Sequence, residues 1–240
     1  SIERVAMRFG FQLEYENGGE TSSERSMRGQ LLEIHELVTD YWRRCFLEDA
    51  VHGEWIQNYW TEKRRFDLAV ADDFGIGFAP LDDSKLIPGL LAKGYGKDAL
   101  AQTGLFFGVD RVPDPLRWRC RFRGRLVIPI RDIQGRVIAF TARTLDITPQ
   151  DDPSREAKYV NSPETELFKK SRTVFNIDRA RMTRKDADPF VLVEGQLDAI
   201  RCHSAGIPGA IAAQGTAVTE EHMQQLRRFT QRLIVFLDSD

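Results

Sequence analysis

The chain has 240 residues, 42% of them apolar, and a formal charge of −2, enough for one large or two ordinary domains with a real core. Cys45, Cys120 and Cys202 lie far apart with no CxxC pair, which excludes a zinc ribbon and a disulfide framework and fits a reducing, cytosolic compartment. No apolar run approaches the ~20 residues of a membrane span, and the charged opening SIERVAMRFG does not read as a signal peptide.

Residues 1–10 read as a short helix and 16–26 (ENGGETSSERS) as a polar tether. A long helix follows, because Leu31, Ile34, Val38, Tyr41, Trp42 and Cys45 recur at spacings that put them on one apolar stripe. Tyr41 and Trp42 are read as core packing. More helix is expected around 54–64, with Asp67 capping another and FGIGF at 74–78 a brief strand. Two short helices broken at Gly94–Gly96 come next.

The character changes at Arg117. In RWRCRFRGR, arginine alternates at 117, 119, 121, 123 and 125. As a strand, this places five guanidiniums on one face and Trp118, Cys120 and Phe122 on the other, packed on the core. From Arg117 to Arg143 there are eight arginines and one acid, Asp132, a local charge of +7. A basic stripe on a near-neutral chain points to a polyanion bound in one place. RLVIPI and RVIAFTAR read as strands of a hairpin with Gly135 in the turn, and Pro129 implies an unpaired strand edge. Residues 146–157 form a polar loop.

From Asp188 the rhythm is β-α-β-α-β: FVLVEG, a helix stopped at Gly206, GAIAAQGT, a helix capped by Thr219, and RLIVFLDSD. This predicts a parallel sheet with helices on both faces, an α/β unit behind an α+β one. Functional groups collect at the carboxyl ends of such strands, and here those ends carry Glu194, Gly215, Asp238 and Asp240. Asp198, four residues past Glu194, can point back toward it. If the first and third strands are neighbours, four carboxylates converge. Their mutual repulsion calls for raised pKa values or hard cations such as magnesium. The histidines at 35, 52, 203 and 222 do not cluster and are read as structural.

EGxxD in VEGQLDAI, the GT of AAQGTAVTEEH and DxD in FLDSD resemble the Toprim domain. RFRGRLVIPIRDIQGRVIAFTAR and KYVNSPETELFKKSRTVFNI resemble the RNA polymerase core of the bacterial replicative primase family (DnaG type), and the likeness runs from about residue 1 to 240. It implies a primase-core subdomain over 1–187 and a Toprim domain over 188–240. It implies primer synthesis on single-stranded DNA from ribonucleoside triphosphates during replication, with Mg2+ (or Mn2+) held by Glu194, Asp238 and Asp240. Glu194, Asp198, Asp238 and Asp240 match the family's catalytic acids. Arg121 and Arg123 match its template-binding ridge, and Lys158, Tyr159, Asn161 and Lys170 its nucleotide- or template-binding motif.

The family's zinc-binding domain and its helicase-binding domain have no counterpart in these residues, and the Toprim fold normally continues past DxD. The missing initiator Met and the end at Asp240 therefore read as an excised fragment whose helicase contact lies elsewhere, and whose place is the cytoplasm at the replication fork. Two alternatives stay open: a Toprim nuclease or topoisomerase fragment, and a nucleic-acid-binding module without catalysis.

Overall fold

The structure, a computed structural model, describes residues 27–185, 188–215 and 218–237. The helix expected at 1–10, the tether at 16–26 and the acids Asp238 and Asp240 lie outside the described residues.

Helix α1 (Met27–Glu48) buries Leu31, Ile34, Val38, Trp42 and Phe46 along the expected stripe. Trp42 meets Phe122 and Phe140 edge-on at centroid distances of 5.7 and 4.8 Å, the geometry that aromatic quadrupoles favour. His35 shares this face. It stacks on Phe140 at 5.6 Å, and its Nδ1 donates to the Leu31 carbonyl at 2.6 Å. Burial pushes its pKa down to about 4, so the ring is neutral and structural. α2 (Gly53–Asn58) runs into a π turn (Tyr59–Lys63). α3 (Leu68–Phe74) is capped by Asp67, whose carboxylate accepts from Ala69 N–H at 2.8 Å.

The expected strand at 74–78 is shorter and later. Phe74 completes α3, and β1 is Gly77–Ala79. α4 (Leu86–Ala92) and α5 (Lys97–Gln102) are the two short helices on either side of the glycines. β2 (Phe106–Phe107) and β3 (Arg119–Cys120) form a small antiparallel ladder.

β4 (Arg125–Arg131), β5 (Val137–Thr144) and β6 (Tyr159–Asn161) complete an antiparallel sheet in the order β1-β4-β5-β6. The β4–β5 turn is built by Asp132, which accepts from the N–H groups of Gln134 and Arg136 at 2.9 and 3.1 Å. β1 pairs with β4 only as far as Val127. Pro129, which has no N–H to give, therefore faces no strand on that side.

The second half is a parallel sheet of β7 (Phe190–Val193), β8 (Ala210–Ala212) and β9 (Leu233–Phe236), in the order β8-β7-β9. α6 (Ile177–Thr183), α7 (Gln196–Ser204) and α8 (Glu220–Leu226) flank it. β7 and β8 are covered, whereas Val235 and Phe236 on β9 are 58% and 67% exposed. Packing does not break between the halves. Leu126 and Ile128 of β4 share a core with Val193, Leu197, Ile200 and Ala212, and Phe175 forms an antiparallel bridge to Ala212.

The arginine stretch needs a correction. It is not one strand, and the five guanidiniums do not share a face. Only Arg119–Cys120 is extended in a ladder, and residues 121–124 turn back, with Gly124 at φ +65°. A Cβ on Gly124 would lie 2.8 Å from Leu81 Cδ2 and 3.1 Å from the Thr148 backbone. Crowding and handedness together require glycine there, and that turn ends the alternation. Arg125 then starts β4 fully buried. Its Nη2 donates to Asp152 Oδ1 at 2.9 Å, and Nη1 donates to Thr144 Oγ1. The apolar half of the expectation holds, since Trp118, Cys120 and Phe122 are buried.

Candidate functional site

Three strand ends define one corner of the antiparallel sheet. The register pairs Arg125 with Thr144, and Arg143 with Tyr159. The start of β4, the end of β5 and the start of β6 therefore lie together, and bring Arg123, Arg143 and Lys158 to one rim. Lys158 is exposed. Tyr159 is half-buried, with the Arg143 guanidinium 5.0 Å from its ring centroid. Arg121 lies over Phe107, its guanidinium carbon 4.0 Å from the ring centroid, an arrangement favoured by the ring's negative face. Arg123 borders a small cleft with Arg119, Asp151 and Pro153.

Two residues along β6, Asn161 meets the parallel half. A Cβ on Gly215, which sits at φ +72° just past β8, would lie 3.1 Å from Asn161 Nδ2. The amide therefore rests against the bare backbone of that turn. Behind it, Gln196 Nε2 donates to Gln214 Oε1 at 3.1 Å, which joins the amino end of α7 to the carboxyl end of β8. β6, which starts at the basic rim, thus meets the turn at the carboxyl edge of the parallel sheet along one seam.

On that edge Glu194 follows β7 directly. It is exposed, and its carboxylate makes no hydrogen bond or ion pair among the described residues. Asp198 is also exposed, and its Oδ2 accepts from Gly195 N–H at 3.1 Å. This caps α7 in the first turn, where the helix dipole favours an anion, and fixes the backbone next to Glu194. β9 lies parallel beside β7 with Phe236 opposite Val193, so the first and third strands are neighbours. Asp238 follows Phe236 by two residues in sequence.

The described residues contain no cluster of three or more His, Cys, Asp or Glu that could hold a metal. Glu194 and Asp198 are nevertheless hard oxygen donors on one strand-to-helix turn, with no ion-paired cation among the described residues to compete for them. That donor chemistry fits magnesium or manganese.

Lys170 lies on a 3-10 turn (Lys170–Arg172) and is half-exposed. The NSPET segment before it is a built loop. Glu164 Oε1 accepts from Lys170 N–H at 3.0 Å, and Thr165 Oγ1 accepts from Phe168 N–H at 3.1 Å. Ser162 Oγ accepts from Phe140 N–H at 3.0 Å. Sequence reasoning missed Glu164 and Gln214. Buried or bonded polar side chains in these segments had no periodicity to reveal them.

A family model for the DNA primase catalytic core, N-terminal domain, matches residues 45–181, and one for the Toprim domain matches 188–240. A DNA primase of Staphylococcus aureus is 33% identical over 211 residues, which cover 88% of this chain and 33% of the relative. The chain thus spans about a third of the length of that relative. Among solved structures, the RNA polymerase domain of Mycobacterium tuberculosis primase DnaG superposes with a TM-score of 0.77 at 36% identity, covering 89% of this chain and 67% of that one. A DnaG primase catalytic domain bound to single-stranded DNA superposes at 0.73 and 32% identity, covering 89% of this chain and 62% of that one. No helix among the described residues is long and apolar enough to cross a membrane.

Proposed function

The chain belongs to the DnaG-type primase family, and from that premise we propose that it makes RNA primers on single-stranded DNA at the replication fork, using ribonucleoside triphosphates. The observation that carries this reading is the seam. An exposed carboxylate edge, with no ion-paired cation among the described residues, and a basic rim are joined through Asn161 and Gly215. A polyphosphate substrate with divalent cations is the ligand such a pairing fits. The relative bound to single-stranded DNA supports a template of that kind.

Glu194, Asp238 and Asp240 would hold magnesium or manganese. When bound, such ions would supply Lewis acidity for the attacking 3′-hydroxyl and positive charge for the leaving pyrophosphate. Asp198 caps α7 and keeps the Glu194–Gly195 turn in place. Lys158 and Lys170 meet phosphate oxygens of the incoming nucleotide or of the template. Tyr159 and Asn161 line the seam between them. Arg121 and Arg123 guide the template backbone, where a guanidinium fork meets phosphate bidentately. We divide the chain at 187/188 into a primase-core unit and a Toprim unit that share one core. The replicative helicase is the proposed protein partner.

The test is incorporation of labelled ribonucleotides on a single-stranded template at several magnesium concentrations. Templated, magnesium-dependent RNA is expected. Magnesium-dependent DNA cleavage without incorporation would move the protein to the nuclease class. Template binding with neither activity would make it a binding module.

A further inference from the structure

The turn that carries Lys170 belongs to neither sheet and has only three residues. Its backbone is held from two sides. From the antiparallel half comes the Glu164 carboxylate on the Lys170 N–H. From the parallel half comes α8. Nε2 of His222 donates to the Lys170 carbonyl at 2.8 Å, and Thr219 Oγ1 donates to the next carbonyl, that of Ser171, at 2.6 Å.

The same two side chains cap their own helix. His222 N–H donates to Thr219 Oγ1, and Thr219 N–H donates to His222 Nδ1, each at 3.2 Å. A carbonyl can only accept and an N–H can only donate, so Nε2 is the donor and Nδ1 the acceptor. The residue is 1% exposed, and both ring nitrogens are engaged. No ligand can reach it, and its chemistry is spent on the turn.

A capping box asks only that the side chain at the third helical position reach back to the cap N–H, and Glu or Gln does that as well. The bond to Lys170 asks for more: a flat group whose near atom accepts and whose far atom donates. Histidine and glutamine satisfy both demands and alanine satisfies neither.

We propose that His222, seconded by Thr219, is a positioning residue that locks the Lys170 turn onto α8, so that the Lys170 ammonium is presented to a phosphate group. This rests on the reading of Lys170 as a phosphate-binding residue. Phosphate is common to the template backbone and to the nucleotide, so two probes separate the sources: a fluorescent single-stranded oligodeoxynucleotide and a fluorescent ATP analogue.

The test is a double-mutant cycle on the full-length protein, with dissociation constants for both probes and a thermal melt of each variant. Lys170→Ala is expected to weaken one probe about tenfold, as for loss of one charge-assisted contact. His222→Ala is expected to weaken the same probe about threefold, and the double variant to bind no worse than Lys170→Ala, because residues acting through one contact are not additive. His222→Gln is expected to restore binding to within about twofold of the parent, since its amide can both accept and donate. If His222→Ala melts below the assay temperature, Thr219→Val replaces it in the cycle with the same criterion. Effects that multiply, or a folded His222→Ala with unchanged constants, overturn the proposal. Unchanged binding of both probes by Lys170→Ala overturns the reading of Lys170 itself, and the proposal with it.

Discussion

The body of the antiparallel sheet and the carboxyl edge of the parallel sheet treat charge in opposite ways. Away from the rim of Arg123, Arg143 and Lys158, several arginines of the antiparallel half are matched within the fold. Arg125 is buried against Asp152, Arg136 pairs with Asp132 at 2.6 Å, Arg119 with Asp151 at 3.1 Å, and Arg131 with Glu36 at 3.7 Å. At the carboxyl edge of the parallel half, Glu194 and Asp198 form no ion pair among the described residues. The difference separates charges that serve the fold from charges left for a ligand. A charge with a short internal partner has its field consumed, while an unmatched one keeps it for whatever binds.

The largest expected effect lies in the matched half. Arg125→Ala leaves Asp152 buried without its partner, so chemical denaturation should show a loss of about 3–5 kcal/mol. A loss below about 1 kcal/mol would mean that water reaches the pair and that the two regions differ less in how they hold charge.

His35 sharpens the same point, because the helix covering the antiparallel sheet keeps even a histidine uncharged. Its folded pKa of about 4 lies below the unfolded value of 6.5, so the unfolded chain takes up the proton first as pH falls. Stability should therefore be full above pH 6.5 and decline as the pH drops toward 4, by up to about 3 kcal/mol. His35→Leu should flatten that part of the stability–pH curve, and an unchanged slope would show that another group titrates there.

At the seam, Gly215→Ala forces a left-handed backbone on a residue with a Cβ, for about 1–2 kcal/mol, and pushes on Asn161. Primer synthesis should fall with it, while single-strand affinity stays. The smallest effect is expected for Arg119→Ala. Its pair with Asp151 is exposed on both sides, which predicts less than about 1 kcal/mol and a contribution that vanishes at high salt.

Much of this was legible in advance where one physical rule acts alone. The stripe of α1, the β4–β5 hairpin and the β-α-β-α-β rhythm follow from periodicity and turn chemistry, and the structure contains them. RWRCRFRGR was not legible, because alternation is also compatible with two residues of ladder followed by a turn. Gly124 was the one residue in it that argued against a continuous strand. The partner of Arg125 lies 27 residues downstream in a polar loop, and no local pattern announces such a pair. His222 likewise reads as an ordinary helical residue, since its second bond reaches a backbone carbonyl 52 positions away. On the candidate site, spacing alone placed Glu194 and Asp198 on one turn. It did not show that β6 would deliver Asn161 to Gly215, a contact made only by packing the two halves together.

The measurement that bears most directly on the account is Glu194→Gln, assayed for ribonucleotide incorporation on single-stranded DNA alongside template affinity and a thermal melt. The residue is exposed and has no ion pair among the described residues, so stability should stay within about 0.5 kcal/mol and template affinity should be unchanged. Incorporation should fall by at least about a hundredfold, as for loss of a group that stabilises developing charge. A folded variant that makes RNA at the parental rate would contradict it.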